Sequence, residues 1–365
     1  MEEKEFTYEE NEIEAAQEAE VVVNIEAVVD DEPLDKNIKL MSPTRMVMRR
    51  FFRSKLSVIG LVMVVGLFLF SFLGPVVYTK WGEEDIDRSG RIDYSTATVE
   101  VYDEETDTTY YMIETIEKHL EVNNLAEPSK DHLLGTDNDG YDVLARLMYG
   151  GRISLTVSFL AVFLITVLGV VLGGFAGYFG GWVDNVIMRL CDILMCLPGI
   201  PILLIISTIL DANDVDNKYR IYLLMIYLTL FSWTGTARLV RGQILSLREQ
   251  EYMVAAEAMG YSTGRKIFKH LIPNVMPQLI VQMSLSLGSM ILYEATLSYL
   301  NLGVKPPQAA WGTMINIISS PSNSHILENH FFAWGPAGIC IVIAVLGFNF
   351  VGDGLRDALD PKMRR

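Results

Sequence analysis

The chain has 365 residues, 50% of them hydrophobic, and a mean hydropathy of +0.28, which fits a multi-span membrane protein with soluble parts. Its net charge of −16 is unevenly spread: residues 1–35 carry −13, residues 81–150 carry −13, and the remainder is +10. The acidic stretches could not neutralise phosphates, which excludes nucleic acid as a partner, and Cys191, Cys196 and Cys340 sit in or beside apolar segments with neither disulfide nor zinc spacing.

Residues 1–40 are acidic and lack helical apolar periodicity, apart from a short Val-rich run at Val21–Ile25. They predict a mostly disordered cytosolic tail, the opposite of the basic start of a cleavable signal peptide. Residues 41–80 then form an amphipathic lead and a first span. Val58–Val77 has no charge in 20 residues, enough to cross ~30 Å of hydrocarbon.

The loop 81–150 is too long for a connector. Val99–Tyr102 and Thr109–Ile113 read as a hairpin joined by Asp103–Asp107, and Glu114–Val122 could follow as a helix. The expectation is a small α+β extracellular insert over 81–131. Within it, Asp85, Asp87, Ser89 and Asp93 are placed like the first part of an EF-hand loop, but Thr96 stands where the bidentate Glu belongs. An acidic turn without metal is the stronger reading of that pattern.

Residues 132–365 hold the remaining spans. The second is Ile153–Tyr178, where Gly169, Gly173, Gly174 and Gly177 predict a small-residue packing face. The third, Val186–Leu210, opens with Arg189 and Asp192 and is expected to bend at Pro198 and Pro201. The fourth is Ile221–Thr236, the fifth runs from about Pro277 to Leu300, and the sixth is Ala333–Val351. The basic connectors fall on one side of this arrangement. They are Arg45–Lys55, the loop holding Arg238, Arg241, Arg248, Arg265, Lys266 and Lys269, and the end with Arg356, Lys362, Arg364 and Arg365. The expectation is an all-α polytopic membrane protein with six transmembrane helices and both termini cytosolic.

The loop 242–273 between the fourth and fifth spans is Ala-rich and basic. Ser246 and Glu249 are spaced as a capping box, which predicts a helix over Leu247–Met259. Gly260 then stands where a left-handed cap is wanted. Ala255, Ala256 and Ala258 would leave a smooth surface for another backbone. Pro273 would end the following basic helix and Pro277 would sit in the first turn of the fifth span. An amphipathic helix lying on lipid headgroups would use the same basic residues. Glu294 is a carboxylate inside a span, a candidate for gating or for structure ahead of direct substrate contact. The chain has no G-x4-G-K-[ST] and no H-E-x-x-H, so it predicts neither ATP hydrolysis nor a metalloprotease.

Ala255-Ala256-x3-Gly260 with Ile272-Pro273 resembles the coupling loop of ABC-transporter permeases, with Val254 where that family usually has Glu. His132–Leu155, Leu297–Gly312 and Asn349–Pro361 resemble further stretches of peptide-transporter permeases, with Tyr141 where Arg is usual. The order of the four stretches is similar to the C-type permease subunit of dipeptide and oligopeptide importers. The resemblance implies a type I ABC importer permease core in a prokaryotic plasma membrane. It implies no cofactor on this chain, with ATP and Mg bound by partners. Those partners would be a second homologous permease, two ATPase subunits and an extracytoplasmic peptide-binding protein. Glu251, Ala255, Ala256, Glu257 and Gly260 would carry the ATPase contact. Nickel chelates or glutathione stay open as substrates, and a membrane scaffold or sensor using the insert as its receptor is the alternative function.

Overall fold

The computed structural model describes residues 42–103 and 108–359. The tail 1–40, the run Val21–Ile25, the residues 104–107 of the expected hairpin connection, and Lys362, Arg364 and Arg365 lie outside the described residues. The chain divides into two units, Met1–Met46 and Val47–Arg365. Only residues 42–46 of the first are described, and they begin α1 (Pro43–Arg53), a helix carrying four arginines. Ser54 interrupts the helix and caps α2 (Lys55–Val77), accepting from Ser57 N at 3.4 Å.

The next part is β rather than α+β. An antiparallel ribbon pairs β1 (Arg91–Asp103) with β2 (Thr108–Leu120), in register from Arg91 opposite Leu120 to Asp103 opposite Thr108. The expected helix at Glu114–Val122 is therefore strand up to Leu120. Glu114, Glu117 and Lys118 favour helix locally, but each is in register with a β1 residue that offers a ladder partner. Cross-strand pairing overrides the weaker local preference.

Asp142 starts α3 (Val143–Phe179), its carboxylate accepting from Ala145 N at 2.7 Å. α4 (Gly181–Cys196) and α5 (Gly199–Ala212) follow, bent by 77° at Leu197–Pro198. This is the bend that Pro198 predicts, while Pro201 lies within the first turn of α5, where its missing N–H costs nothing. Next come α6 (Asn217–Arg248) and α7 (Glu251–Ala258). A turn at Thr263–Arg265 and a π-helical stretch at Lys266–Leu271 lead without a break into α8 (Ile272–Tyr299). The short α9 (Trp311–Asn316) and α10 (Ser324–Asn329) precede α11 (Phe331–Leu359).

Among the described residues, four helical stretches are long and apolar enough to cross a membrane. They are Lys55–Val77, Val143–Phe179, Thr263–Tyr299 and Phe331–Leu359, and the bent α4–α5 pair makes a fifth if it is one span. The protein is thus a multi-pass helical membrane protein. The helices meet through glycines. Added Cβ atoms at Gly169, Gly173 and Gly177 would collide with Thr236, Ala237 and Arg241 of α6. That stripe, repeating every four residues, lets α3 and α6 approach backbone to backbone. Gly174, one step aside, meets only Ile244 at 3.8 Å. Gly60 lets α2 approach α11 in the same way, since a Cβ there would collide with Phe350 Cβ and Gly347 O.

Polar clasps hold the ends. Asp184 of α4 takes Arg241 of α6 in a two-point pair at 3.0 and 2.5 Å, and Asp192 takes Arg238 at 2.6 Å. The buried Arg220 donates to Gly303 O at 3.1 Å, Asp211 at 2.5 Å, and Ser207 Oγ. Lys305 joins the same Asp211 oxygen at 2.6 Å, so α5, α6 and the loop after α8 are tied at one point.

Candidate functional site

α7 and the turn after it expose one face above a buried cluster. α6 does not stop at Ser246. Val240 and Ile244 are fully buried on the helix face that Leu247 extends, and this packing carries the helix to Arg248. Arg248 Nη1 then donates to Tyr178 O at 3.1 Å. The expected capping box at Ser246 and Glu249 is therefore absent: Ser246 lies in the last turn of α6, and Gln250 (ψ 148°) precedes α7 without a side-chain cap. The helix of the loop is shorter than expected, eight residues at Glu251–Ala258.

Its far end is as the sequence predicts. Gly260 has φ +74°. Tyr261 N donates to Ala256 O at 3.1 Å and Gly260 N to Glu257 O at 2.8 Å, the paired bonds of a Schellman turn. An added Cβ at Gly260 would meet nothing within 4 Å, so the backbone angle alone calls for glycine.

α7 has two faces. Met253 (3% exposed) and Ala256 (1%) point inward, against Val240, Ile244, Ile267, Leu271, Val275 and Leu279. Ala256 is thus buried in the chain's own core and is not part of the outer surface expected of it. Glu251, Ala255, Glu257 and Gly260 are exposed. With them stand Val254 (62% exposed) and Met259 (63%), which the sequence reading left out. The signal was present in the residue types: apolar side chains fall on both faces of so short a helix. Tyr252, also exposed, receives a 3.4 Å bond from Asn274 Nδ2.

The support beneath α7 is an unbroken helical run. Helix continues through Pro273, which neither ends a helix nor precedes a new start at Pro277. The π-helical turn at Lys266–Leu271 absorbs the change in hydrogen bonding that the missing proline N–H requires. Arg265 stacks over Tyr261 at 4.5 Å, and Tyr261 lies on His270 at 5.8 Å. Glu257 meets Lys266 at 3.8 Å, the edge of ion-pair range.

Glu294 of α8 is 5% exposed and accepts from Ser298 Oγ at 2.8 Å within its own helix. Ser154 of α3 lies beside it and also accepts from Trp311 N at 3.3 Å. The carboxylate thus sits where α3, α8 and the start of α9 meet.

The residues of the calcium pattern go separate ways. Asp85 accepts from Gly82 N at 2.7 Å. Asp87 accepts from Ser89 N at 2.9 Å, Asn123 Nδ2 at 2.7 Å and the His132 ring at 3.1 Å. Asp93 lies in β1, opposite Lys118. Among the described residues, no cluster of three or more His, Cys, Asp or Glu could hold a metal ion. Asp87 belongs instead to a buried relay. His132 bridges it to Asp142 at 2.8 Å, Tyr78 donates to Asp142 at 3.2 Å, and Trp81 stacks on the imidazole at 4.5 Å. Burial acts to raise the Asp87 pKa, but its hydrogen bonds from Asn123, Ser89 and His132 outweigh that and bring it from 3.8 down to about 2. Burial first, and the Asp142 charge second, push the Tyr78 hydroxyl up to about 12.

A family described as "Binding-protein-dependent transport system inner membrane component" matches residues 169–365. The family "N-terminal TM domain of oligopeptide transport permease C" matches residues 42–90. The oligopeptide transport system permease protein OppC of Bacillus subtilis is 35% identical over 336 residues, covering 92% of this chain and 94% of that protein. The dipeptide transport system permease protein DppC of Alkalihalophilus pseudofirmus is 34% identical over 332 residues, covering 91% and 94%. The OppC protein of Salmonella typhimurium is 43% identical over 243 residues, 67% of this chain and 76% of that one. Among solved structures, inward-facing MetNI, a methionine ABC transporter, is 18% identical with a TM-score of 0.44, covering 59% of this chain and 96% of that chain.

Proposed function

The chain belongs to the binding-protein-dependent transport system inner membrane components, among the oligopeptide and dipeptide permease C subunits, and from that membership we propose that it carries peptides inward by alternating access. It is a transport subunit and not an enzyme; ATP hydrolysis resides in separate subunits. The reading assigns it a second homologous permease, two ATPase subunits that bind ATP and Mg, and an extracytoplasmic peptide-binding protein. The scaffold or sensor alternative is not favoured, since the relatives aligned over more than nine-tenths of their length are permeases.

The proposed topology has six spans. The bent α4–α5 pair supplies one and α6 supplies another, through its apolar stretch 221–236. Both termini and α7 lie in the cytosol, and the ribbon 91–120 lies outside as the core of an insert over 81–131. Residues 132–365 form the permease core, following a tail over 1–40 and a lead with the first span over 41–80.

One observation carries the coupling role: α7 presents Val254, Ala255 and Met259 outward while Met253 and Ala256 fix it to the membrane helices. A partner that grips this knob moves α6 and α8 with it. ATP must favour one arrangement of the ATPase pair, and this contact must pass that preference to the spans. Glu251, Ala255, Glu257 and Gly260 keep their proposed place in the contact, and Ala256 contributes by setting the helix close to its support. Glu294 is proposed as a joint between α3, α8 and α9. The test is uptake of labelled tripeptide by liposomes holding the whole transporter, with binding protein outside and ATP inside. ATP-dependent uptake that stops when the binding protein is omitted is expected. Uptake absent with every subunit present would overturn the proposal.

A further inference from the structure

A groove of about 290 Å³ opens between α3, α6 and α8, near the lower end of small-ligand site volumes. On α8 it is lined by Gln282, Ser286, Ser289 and Tyr293, spaced four, three and four residues apart, so they share one helix face. Thr166 of α3 and Thr236 of α6 face it from the other walls. A row of polar groups on one face of a membrane span is unfavourable against lipid, and the row therefore marks either a watery path or a protein contact. Among the described residues, no Asp, Glu, Lys, Arg or His lines the groove.

Two of the hydroxyls direct their hydrogens to their own helices: Thr166 donates to Val162 O at 2.8 Å and Ser289 to Leu285 O at 3.4 Å. Their oxygens are then offered as acceptors to the groove. Gln282 uses one amide hydrogen on Ser286 Oγ at 3.3 Å and retains an amide that can both donate and accept. Met283 and Met290 complete the walls with flexible, polarisable side chains that fit varied shapes.

We propose that this groove is a transit site for the substrate peptide, one that holds backbone amides through Gln282, Ser286, Ser289 and Thr166 and is indifferent to side-chain charge. Neutral donors and acceptors suit amide groups, and methionines suit variable side chains. The proposal rests on the peptide-permease reading above.

The test uses the whole transporter in liposomes with Ala-Glu-Ala, Ala-Ala-Ala and Ala-Lys-Ala as labelled substrates, each rate normalised to the wild-type rate with the same binding protein. Gln282→Glu should depress Ala-Glu-Ala relative to Ala-Lys-Ala by about tenfold, since like charges this close in a partly dry groove repel. Gln282→Lys should produce the mirror pattern. Opposite biases cannot arise from misfolding, which would lower all three rates together. Equal effects on all three peptides in both variants would overturn the groove. So would loss of the second permease from the purified complex in both variants, which would make this face a subunit contact. Wild-type transporter that moves none of the peptides would instead defeat the peptide-permease reading, and the groove's assignment with it.

Discussion

Replacing Gly260 separates a conformational requirement from a steric one. Its φ of +74° is left-handed, and no atom lies within 4 Å of the site of an added Cβ. Crowding therefore contributes nothing in the structure as it stands, and the cost is that of the backbone, about 1–2 kcal/mol for an ordinary L-residue. If the turn gives way instead, the bonds from Gly260 N and Tyr261 N are at risk, each contributing about 1 kcal/mol. Either route lowers the population of the ordered turn by roughly 5- to 30-fold relative to its alternatives. In the intact transporter, Gly260→Val should sharply reduce both peptide uptake and the ATPase response to binding protein, while the amount of assembled complex stays unchanged. Gly260→Ala should fall between Val and wild type. Gly260→Asn should remain near wild type, because Asn adopts the left-handed region more readily than other side chains do. Wild-type coupling in Gly260→Val would refute the reasoning, and so would an Asn variant as damaged as Val.

Met253→Ala removes a buried side chain from beneath α7 and should cost about 2–5 kcal/mol, read as a lower melting temperature of the purified complex; Met259→Ala, on the exposed face, should leave melting alone and lower only the ATPase response. Gly173→Val would drive a side chain into the Ala237 backbone, and should destabilise by about 1–3 kcal/mol or more and deplete the chain from the membrane, whereas Gly174→Val, with its nearest neighbour 3.8 Å away, should be tolerated. The Asp87 carboxyl lies lower folded than unfolded, so its stabilisation is present above pH 3.8 and lost as pH falls through about 2. Hydrogen exchange over residues 120–142, corrected for intrinsic rates, should show protection retained down to about pH 4 and falling between there and about 2, with Asp87→Asn already unprotected at neutral pH; equal protection in Asp87→Asn and wild type would contradict the relay's role.

Much of the architecture is legible in local chemistry. The glycines at 169, 173 and 177 repeat at the spacing of one helix face, and that face meets α6. Pro198 bends the third apolar segment because its ring and missing N–H act within one turn. Gly260 is legible for the same reason, as an angle needed at one residue. The failures are those in which distant packing overrules a local signal. Ser246 and Glu249 have capping spacing, but the buried face of Val240 and Ile244 keeps α6 helical through Ser246 to Arg248. Pro273 reads as a stop, yet the π-helical stretch before it carries the axis through. Glu114–Leu120 has helical composition and pairs as strand because β1 supplies the partner. Ala256 differs from Ala255 only in which way one short helix is rolled, and that roll is set by Met253 and the core below it. The relay of Asp87, His132 and Asp142 joins residues 45 and 10 apart in sequence, a closeness that only the folded chain creates.

The central claim is that α7 docks on a separate ATPase subunit through its outer face. The direct measurement is photo-crosslinking in the intact, membrane-embedded transporter, with a benzophenone side chain at position 259 and, as the inward control, at 253. The account predicts a crosslink from 259 to the ATPase subunit, with a yield that changes on adding ATP, and none from 253. A position 259 that labels only lipid while the ATPase subunits are present and transport proceeds would contradict it.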